Sequence, residues 1–528
     1  MMKKKLLALG MAVVMMLSCV ACGSKTGDGG SNNNPTNGAT QEAGGETSEK
    51  KRITMMAIDY NGSPLSAEGS EEIKQKVSDY TNTIIDDKTF TWVANDTYTE
   101  KLGLTLLDKD NMPMIITVNG PVNSTIVQAA NAGAFWDLSE YLFDYQKYPN
   151  LSQANKEVLE QVTINGQLIG IYRARPIGRN AVGYRADWAE KLGLEAPETI
   201  EDLYNMAYQF TYNDPDGNGK DDTYGFAFTK NTAPLDIIQA WFDAGNGWVE
   251  KDGKLVPGHQ TEEYMEALNW LRKIYEEGLV AKDWPVREPS TATDSMKKGE
   301  AGIFVTAIDD SRRVWDYFED NKIPAATGEG IASMNFVGAI AKEEGGDKRT
   351  QATTGMNGFY VITKAAKTEA DLEACLSFLD KMCDDEMLLL CDYGVEGISY
   401  EVDTDGNLVS LVQGKDLATI PHNGLNQLTP YIPNQAIVSM GTKRTDRKIL
   451  EDQVKEQNIQ YAVFNPAAGY LNNSKTYSMN GGNLDEILKQ ARTQYICGEI
   501  DESGLRAKWT EWEKAGGANV IEEVNAQR

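Results

Sequence analysis

The chain has 528 residues and a formal charge of −27, from 51 Lys and Arg against 78 Asp and Glu, with a pI near 4.6. So acidic a surface lacks the basic face that phosphate backbones require, which argues against nucleic acid and against anionic membrane surfaces as partners. Its only two histidines, His259 and His422, are far apart in sequence, leaving little material for a Ser-His-Asp triad or a histidine-rich metal site. Carboxylate-based glycoside hydrolysis needs no histidine and stays open.

Lys3, Lys4 and Lys5 precede an apolar stretch from Leu6 to Leu17. That stretch is about a dozen residues, too short to cross a bilayer as a helix, and residues 1–21 read as an export signal. The sequence Leu17-Ser18-Cys19-Val20-Ala21-Cys22-Gly23 then resembles the bacterial lipobox, where a cysteine behind small residues is lipidated and becomes the new N-terminus. Small Ala21 before it and Gly23-Ser24 after it select Cys22; Cys19 is the runner-up, and an ordinary cleaved signal is the plain alternative. The reading implies a chain anchored by lipid to the extracellular face of the cell membrane, serving as a receptor, an enzyme for outside material or a scaffold. Removing the first 21 of 528 residues leaves 507, enough for two or three lobes.

Residues 22–51 are rich in Gly, Asn, Ser and Thr and almost free of large apolar side chains. Such a segment cannot bury enough surface to offset its ordering entropy, so it reads as a flexible tether. Cys375, Cys383, Cys391 and Cys497 contain no CxxC and read as small buried apolar residues, since disulfide frameworks belong to shorter secreted chains.

Folded sequence is expected from Arg52. Ile53 to Ile58 is an apolar run suited to a buried strand, ending in the polar loop Asp59-Tyr60-Asn61-Gly62. A helix from Glu71 to Thr81, a strand from Thr89 to Val93, a helix from Tyr98 to Leu106 and a strand from Met114 to Val118 follow, the last running into Asn119-Gly120. Alternating strands and helices predict an α/β fold with a parallel sheet. Ligands bind beyond the carboxyl ends of such strands, where Asp59, Tyr60 and Asn119 would lie, although ordinary turn chemistry explains the same residues. Residues 162–171 read as a hairpin with Asn165-Gly166 at its turn.

That hairpin, the extended stretch through Pro176, Gly183-Tyr184-Arg185-Ala186-Asp187-Trp188 and Lys191-Leu192-Gly193-Leu194 carry a resemblance to the extracellular solute-binding proteins of ABC sugar importers, family 1, especially large lipoproteins of Gram-positive bacteria and alginate-binding proteins. The resemblance continues through a helix from Glu262 to Glu277, with Tyr264, Leu268, Leu271 and Tyr275 as its core stripe. It extends through Met296 to Phe304, the return strand Asn357 to Ile362, a hairpin around Asp405-Gly406 and the final Gly516-Gly517-Ala518-Asn519. It implies a type II periplasmic-binding-protein clamp, two lobes that close on a ligand about a hinge. By that analogy residues 52–172 begin lobe 1 and 173–354 begin lobe 2, with the hinge near 174–180. Residues 355–390 return to lobe 1, and 391–528 belong mainly to lobe 2 and C-terminal helices.

Asp214, Asp216, Asn218 and Asp222 stand at positions 1, 3, 5 and 9 of an acidic loop, and Lys220 offers its carbonyl at position 7. Alternating oxygen ligands with glycines between them suit a hard cation such as calcium. Position 12, where a bidentate glutamate usually closes the site, is Gly225. That departs from an EF-hand while leaving the half-loop intact, and the resemblance to alginate-binding proteins implies structural Ca2+ there. A solvated acidic turn is the alternative.

Sugars present apolar faces rimmed by hydroxyls, so their sites pair aromatic platforms with carboxylates, amides and arginines. On that chemistry the candidates are Asp59, Tyr60, Asn119, Arg179, Asn180, Trp241, Trp248, Asp309, Asp310, Arg312 and Tyr431. Trp241 shares helical spacing with Ile237 and could equally be core. Arg175, Arg179 and Arg185 could bind an acidic sugar or a peptide carboxylate, although surface ion pairs explain arginines as well. The expectation is a monomeric, non-enzymatic lipoprotein that captures an oligosaccharide for a membrane ABC permease. A binding protein for peptides or another polar solute, and a surface glycoside hydrolase with paired carboxylates, are the alternatives.

Overall fold

The computed structural model describes residues 49–528 except 61, 290, 413–414 and 434–443; the export signal, Cys22 and the tether through residue 48 lie outside the described residues. Ordered pairing begins just before the expected start, because the Lys51 amide donates to Asn82 O (2.8 Å) and the Ile84 amide donates to Lys51 O (3.0 Å).

The first run of elements is β1 (Met55–Asp59), α1 (Ser70–Thr81), β2 (Phe90–Ala94), α2 (Asn95–Leu107), β3 (Ile115–Val118), α3 (Ser124–Asn131), α4 (Lys156–Glu160), β4 (Thr163–Ile164), β5 (Gln167–Leu168) and β6 (Ile171–Ala174). β1 is buried on both faces from Met55 to Ile58, as a central parallel strand between helical layers must be. In α1 the buried Ile73, Val77 and Thr81 recur at four-residue spacing, which turns one face inward. The Asn123 side chain caps α3 by accepting from the Thr125 and Ile126 amides. Asn165 (φ 50°) and Gly166 (φ 77°) take the paired left-handed conformations of a tight hairpin turn between β4 and β5.

The second run is β7 (Asn180–Arg185), α5 (Ala186–Leu192), α6 (Ile200–Tyr212), β8 (Tyr224–Phe226), α7 (Ala233–Trp241), β9 (Trp248–Lys251), β10 (Lys254–Pro257), α8 (Glu262–Glu276), α9 (Thr291–Lys298), β11 (Ala301–Ala307), α10 (Ile308–Asn321), β12 (Met334–Val337), β13 (Ile340–Ala341) and β14 (Lys348–Gln351). A capping box between Thr199 and Asp202 starts α6. In α8, Tyr264, Leu268 and Leu271 are buried as expected, but Tyr275 is half-exposed and Ile274 takes the core position beside it.

The chain then returns through β15 (Met356–Ile362), α11 (Glu369–Lys381), α12 (Asp385–Tyr393), β16 (Tyr400–Val402) and β17 (Leu408–Ser410). It ends with α13 (Asp446–Asn458), β18 (Ala462–Val463), α14 (Ala468–Asn473), α15 (Lys475–Ile496), α16 (Glu502–Trp512) and α17 (Ala518–Asn525). The four cysteines among the described residues, Cys375, Cys383, Cys391 and Cys497, are free, three of them buried.

Two main sheets result, in the orders β2-β1-β3-β15-β6 and β12-β7-β11-β8. Each has its own core, one around Ile58, Ile116 and Phe359, the other around Trp188, Phe226 and Leu268. The molecule is a two-lobed α/β clamp. The stretch 391–432, expected in the second lobe, instead packs Cys391, Leu425, Leu428, Tyr431 and Ile432 into the first core. Two bonds to backbone carbonyls hold it there, from Tyr360 Oη to Gln427 O (2.7 Å) and from the Ala174 amide to Pro430 O (2.7 Å).

Strand direction fixes which ends of the sheets meet. β1 and β3 are parallel, and Val118 at the carboxyl end of β3 pairs with Phe359 near the amino end of antiparallel β15. Met356 of β15 pairs with Ala174, the last residue of β6. The carboxyl ends of β1, β3 and β6 therefore share one side of the first sheet with the chain's two passages into the second. In the second sheet, Asn180 begins β7 opposite Ala307, which ends β11. The passages run side by side: the Arg175 amide donates to Gly355 O (2.9 Å), the Thr353 amide to Ile177 O (3.1 Å) and Thr353 Oγ1 to Pro176 O (2.9 Å).

Candidate ligand-binding cleft

The strand ends that face the passages gather polar side chains in a row. Tyr60, just past β1 and 42% exposed, donates its hydroxyl to Asn119 Oδ1 at 3.0 Å. Asn119, just past β3, donates its amide to Asn95 Oδ1 at 3.2 Å. Asn95 opens α2 at the end of β2, and periodicity gave no reason to single it out. Parallel pairing of β2, β1 and β3 aligns their ends and so brings the three together. Asp59 accepts from the Gly62 amide at 2.7 Å, so part of its role is turn chemistry.

On the second sheet, Arg179 and Asp309 form a bidentate pair, with Nε–Oδ1 and Nη2–Oδ2 both 2.7 Å. Burial works against the Asp309 carboxylate, but Arg179, Lys455 and Arg313 outweigh it and hold its pKa down at about 2. Asn180 donates to Gln351 O at 3.0 Å and, through its own carbonyl, accepts from Asn458. Asp310 takes Arg313 (2.5 Å) and Thr306 (3.2 Å) as partners. These carboxylates are occupied by the protein's own cations.

Other candidates are structural. Trp241 is 1% exposed in the second core, and Trp248 is buried against Leu255 and Trp512. Arg312 pairs with Asp316 and with Glu451 (2.5 Å), tying α10 to α13. Arg185 lies buried between Trp188 and Phe318 and is neutralised by Asp187 at 2.8–2.9 Å. Tyr431 is buried with a left-handed backbone (φ 58°) and donates its hydroxyl to Asp392 Oδ1 at 2.8 Å. Burial pushes Asp392 up to about 6.

Arg173 carries no signal in the sequence, whereas Arg175 is among the three arginines suited to an acidic group. Arg173 is buried with an amide rather than a carboxylate as partner, donating to Gln427 Oε1 at 2.7 Å. Two residues on, the half-buried Arg175 guanidinium donates to the Ala174 carbonyl at 2.9 Å, and burial lowers its pKa. Among the described residues neither arginine forms an ion pair.

The acidic loop between α6 and β8 curls through Gly217 and Gly219, both at positive φ. Asp214 Oδ2 accepts from the Gly219 amide (3.1 Å), while Asp214 Oδ1 is buried without a partner. The Asn218 side-chain amide points at Asp216 Oδ2 (2.8 Å) and at both Asp222 oxygens (3.1 and 3.3 Å). Burial and the neighbouring carboxylates raise the pKa of Asp216. Among the described residues no three Asp, Glu, His or Cys groups converge tightly enough to hold a metal. The donor set nonetheless fits a hard cation once the Asn218 amide turns its oxygen inward, because the nitrogen now stands where positive charge is wanted.

A cavity of about 1020 Å³ is lined by Thr54, Met112 and Met114 at the amino ends of β1 and β3. It lies at the far end of the first sheet from Tyr60 and Asn119.

Two lobes joined by adjacent passages, with polar residues on the facing strand ends, are the architecture of a two-domain binding protein. The chain belongs to the bacterial extracellular solute-binding protein family, which residues 87–390 match. It is 34% identical over 530 residues to Lipoprotein LipO of Bacillus subtilis, covering 99% of this chain and 98% of that protein. It is 31% identical over 480 residues to the polygalacturonan/rhamnogalacturonan-binding protein YtcQ of the same organism, covering 90% of each. Among solved structures, the fold is similar to that of FusA, an ABC-transporter substrate-binding protein of S. pneumoniae in complex with kestose (TM-score 0.58, 20% identity, 90% of this chain and 98% of that one). It is also similar to an extracellular solute-binding protein of Bifidobacterium longum subsp. infantis (TM-score 0.64, 14% identity, 90% and 97%).

Proposed function

We propose that this chain is a lipid-anchored substrate-binding protein that captures an oligosaccharide between its lobes and delivers it to a membrane ABC permease. The observation that carries the reading is the row Tyr60–Asn119–Asn95, an exposed aromatic ring beside amide donors and acceptors, at the strand ends that face the second lobe. A ring for the sugar face and fixed polar groups for its hydroxyls are what oligosaccharide recognition needs. The carbohydrate-binding name of YtcQ supports the ligand class, and the lipoprotein name of LipO supports an anchor at Cys22. Arg173 and Arg175, which form no ion pair among the described residues, favour a ligand that carries acidic sugars.

Asp214, Asp216, Asn218 and Asp222, with the Lys220 carbonyl, would hold calcium, whose contribution is to pin the loop. The test uses the chain from Ser24, which keeps every described element. Its thermal unfolding is followed against neutral and acidic oligosaccharides. A bound sugar at about 100 times its Kd adds roughly 2.7 kcal/mol to stability. Tyr60→Ala should abolish that shift and Arg175→Ala should abolish it for acidic sugars alone. No shift with any saccharide, or release of cleaved product, would overturn the reading.

A further inference from the structure

A second cavity, about 340 Å³, lies wholly within the second lobe, between α7 and α8 on one side and α15 with the α16–α17 corner on the other. None of its lining comes from the first lobe, so it is separate from the cleft. Three of its lining side chains are buried more than nine-tenths and each leaves a nitrogen without a hydrogen-bond partner: Gln239 Nε2, His259 Nε2 and Arg492 Nε. The Tyr264 hydroxyl meets Gln239 and Arg492 only in part, and buried polar groups left short of partners cost roughly 1–3 kcal/mol each, so three around one hollow mark a place that takes further partners.

The rest of the lining narrows the class of acceptor. Arg492 already has its charge met by Asp236, Nη1 to Oδ1 at 2.5 Å, and the other lining cation, Lys489, is exposed at the rim, so the buried interior offers a second anion no free cation. Burial keeps His259 neutral at ordinary pH. Asp485 takes the Tyr477 hydroxyl at 2.9 Å and keeps acceptor capacity for a ligand O–H. Trp248 and Trp512 add flat apolar surface to the wall. An amide, a neutral imidazole and a charge-paired guanidinium, with the Asp485 carboxylate beside them and aromatic walls in a space of this size, match one uncharged polyhydroxylated ring.

We infer that the second lobe holds a binding site for a single neutral hexose, distinct from the cleft. A hexose there bridges α7 and α15. The α14 segment leading into α15 touches the first lobe, Asn472 donating to Gln161 O at 2.7 Å, so the bridge also bears on the lobe junction.

The experiment titrates the chain from Ser24 with glucose, galactose and mannose separately, by calorimetry and by soaking crystals. At least one hexose is expected to bind with density between Gln239 and Asp485. Gln239→Met, which keeps length but removes the amide, should weaken it about tenfold. Tyr60→Ala should leave hexose binding unchanged, so loss of oligosaccharide binding and loss of hexose binding are read separately. Ordered waters alone in the cavity, binding by no hexose, or hexose binding that falls with Tyr60→Ala and not with Gln239→Met would each overturn the inference.

Discussion

Asp392 and Asp309 are both carboxylates near the lobe junction, and their surroundings drive them in opposite directions. Asp392 is buried with Tyr431 and pushed up to about 6, so the native state binds a proton that the unfolded chain has already released. Stability therefore falls as pH rises between about 4 and 6, and the penalty is fully present above that. Asp392→Asn keeps an oxygen for the Tyr431 hydroxyl and should raise stability by up to about 3 kcal/mol near pH 7 while changing little near pH 4, measured by denaturant unfolding. Asp309 behaves inversely: with its pKa held at about 2, its contribution is present above about pH 4 and is lost as pH falls toward 2. Arg179 is 41% exposed, so solvent screening limits the cost of Asp309→Asn to about 1–2 kcal/mol at neutral pH. Both carboxylates are visible in the sequence, but their partners lie 39 and 130 residues away, so only the fold reveals which one is free to meet a ligand.

At the level of elements, α10 and α13 are joined by a set of charges beside the apolar cluster that Val454 shares with Val314 and Phe318. Glu451, 1% exposed, takes Arg312 from α10 and Lys448 and Lys455 from its own helix, while Arg447 reaches Asp316 at 2.5 Å. Its neighbouring cations outweigh burial and keep its pKa low. Glu451→Gln leaves those cations without their counter-charge and should cost about 3 kcal/mol, with α13 losing amide-exchange protection before the sheets do. Beyond this helix the packing tightens: a Cβ on Gly338 would stand 1.8 Å from Asn458 Oδ1, so Gly338→Ala should displace Asn458 from the Gly178 and Asn180 carbonyls and loosen the same helix. Elements of this kind differ in how far the sequence reveals them. The Asn165-Gly166 hairpin and the capped helices were legible because a few adjacent residues decide them. The return of 391–432 to the first core was not, because it rests on contacts such as Tyr360 to Gln427, 67 residues apart. Trp241 lies between these cases: its helical spacing with Ile237 leaves core and ligand contact equally open, and the fold puts both residues in the second core.

For the whole molecule, the direction of β8 separates the acidic loop from the cleft. β8 is parallel to β11, pairing Tyr224 with Ala301 and Phe226 with Ile303, so its amino end lies with the amino end of β11. Asp309 follows the other end of β11, at the side of the sheet where Asn180 begins and the passages cross. The loop from Asp214 to Asp222 therefore feeds the far end of the second sheet, a full strand length from the candidate contacts. Calcium bound there would stabilise the loop and the α6–β8 junction without touching a sugar. Chelation with EDTA should lower the melting temperature of the chain from Ser24, and Asp216→Asn should make it indifferent to EDTA. The Kd for an oligosaccharide, measured by calorimetry with and without chelator, should stay within about twofold, since sites with no shared contact couple weakly. A larger loss of affinity would mean that the loop sets the geometry of the whole second lobe, and the strand ends at Asn180 and Asp309 would then have to move when it empties.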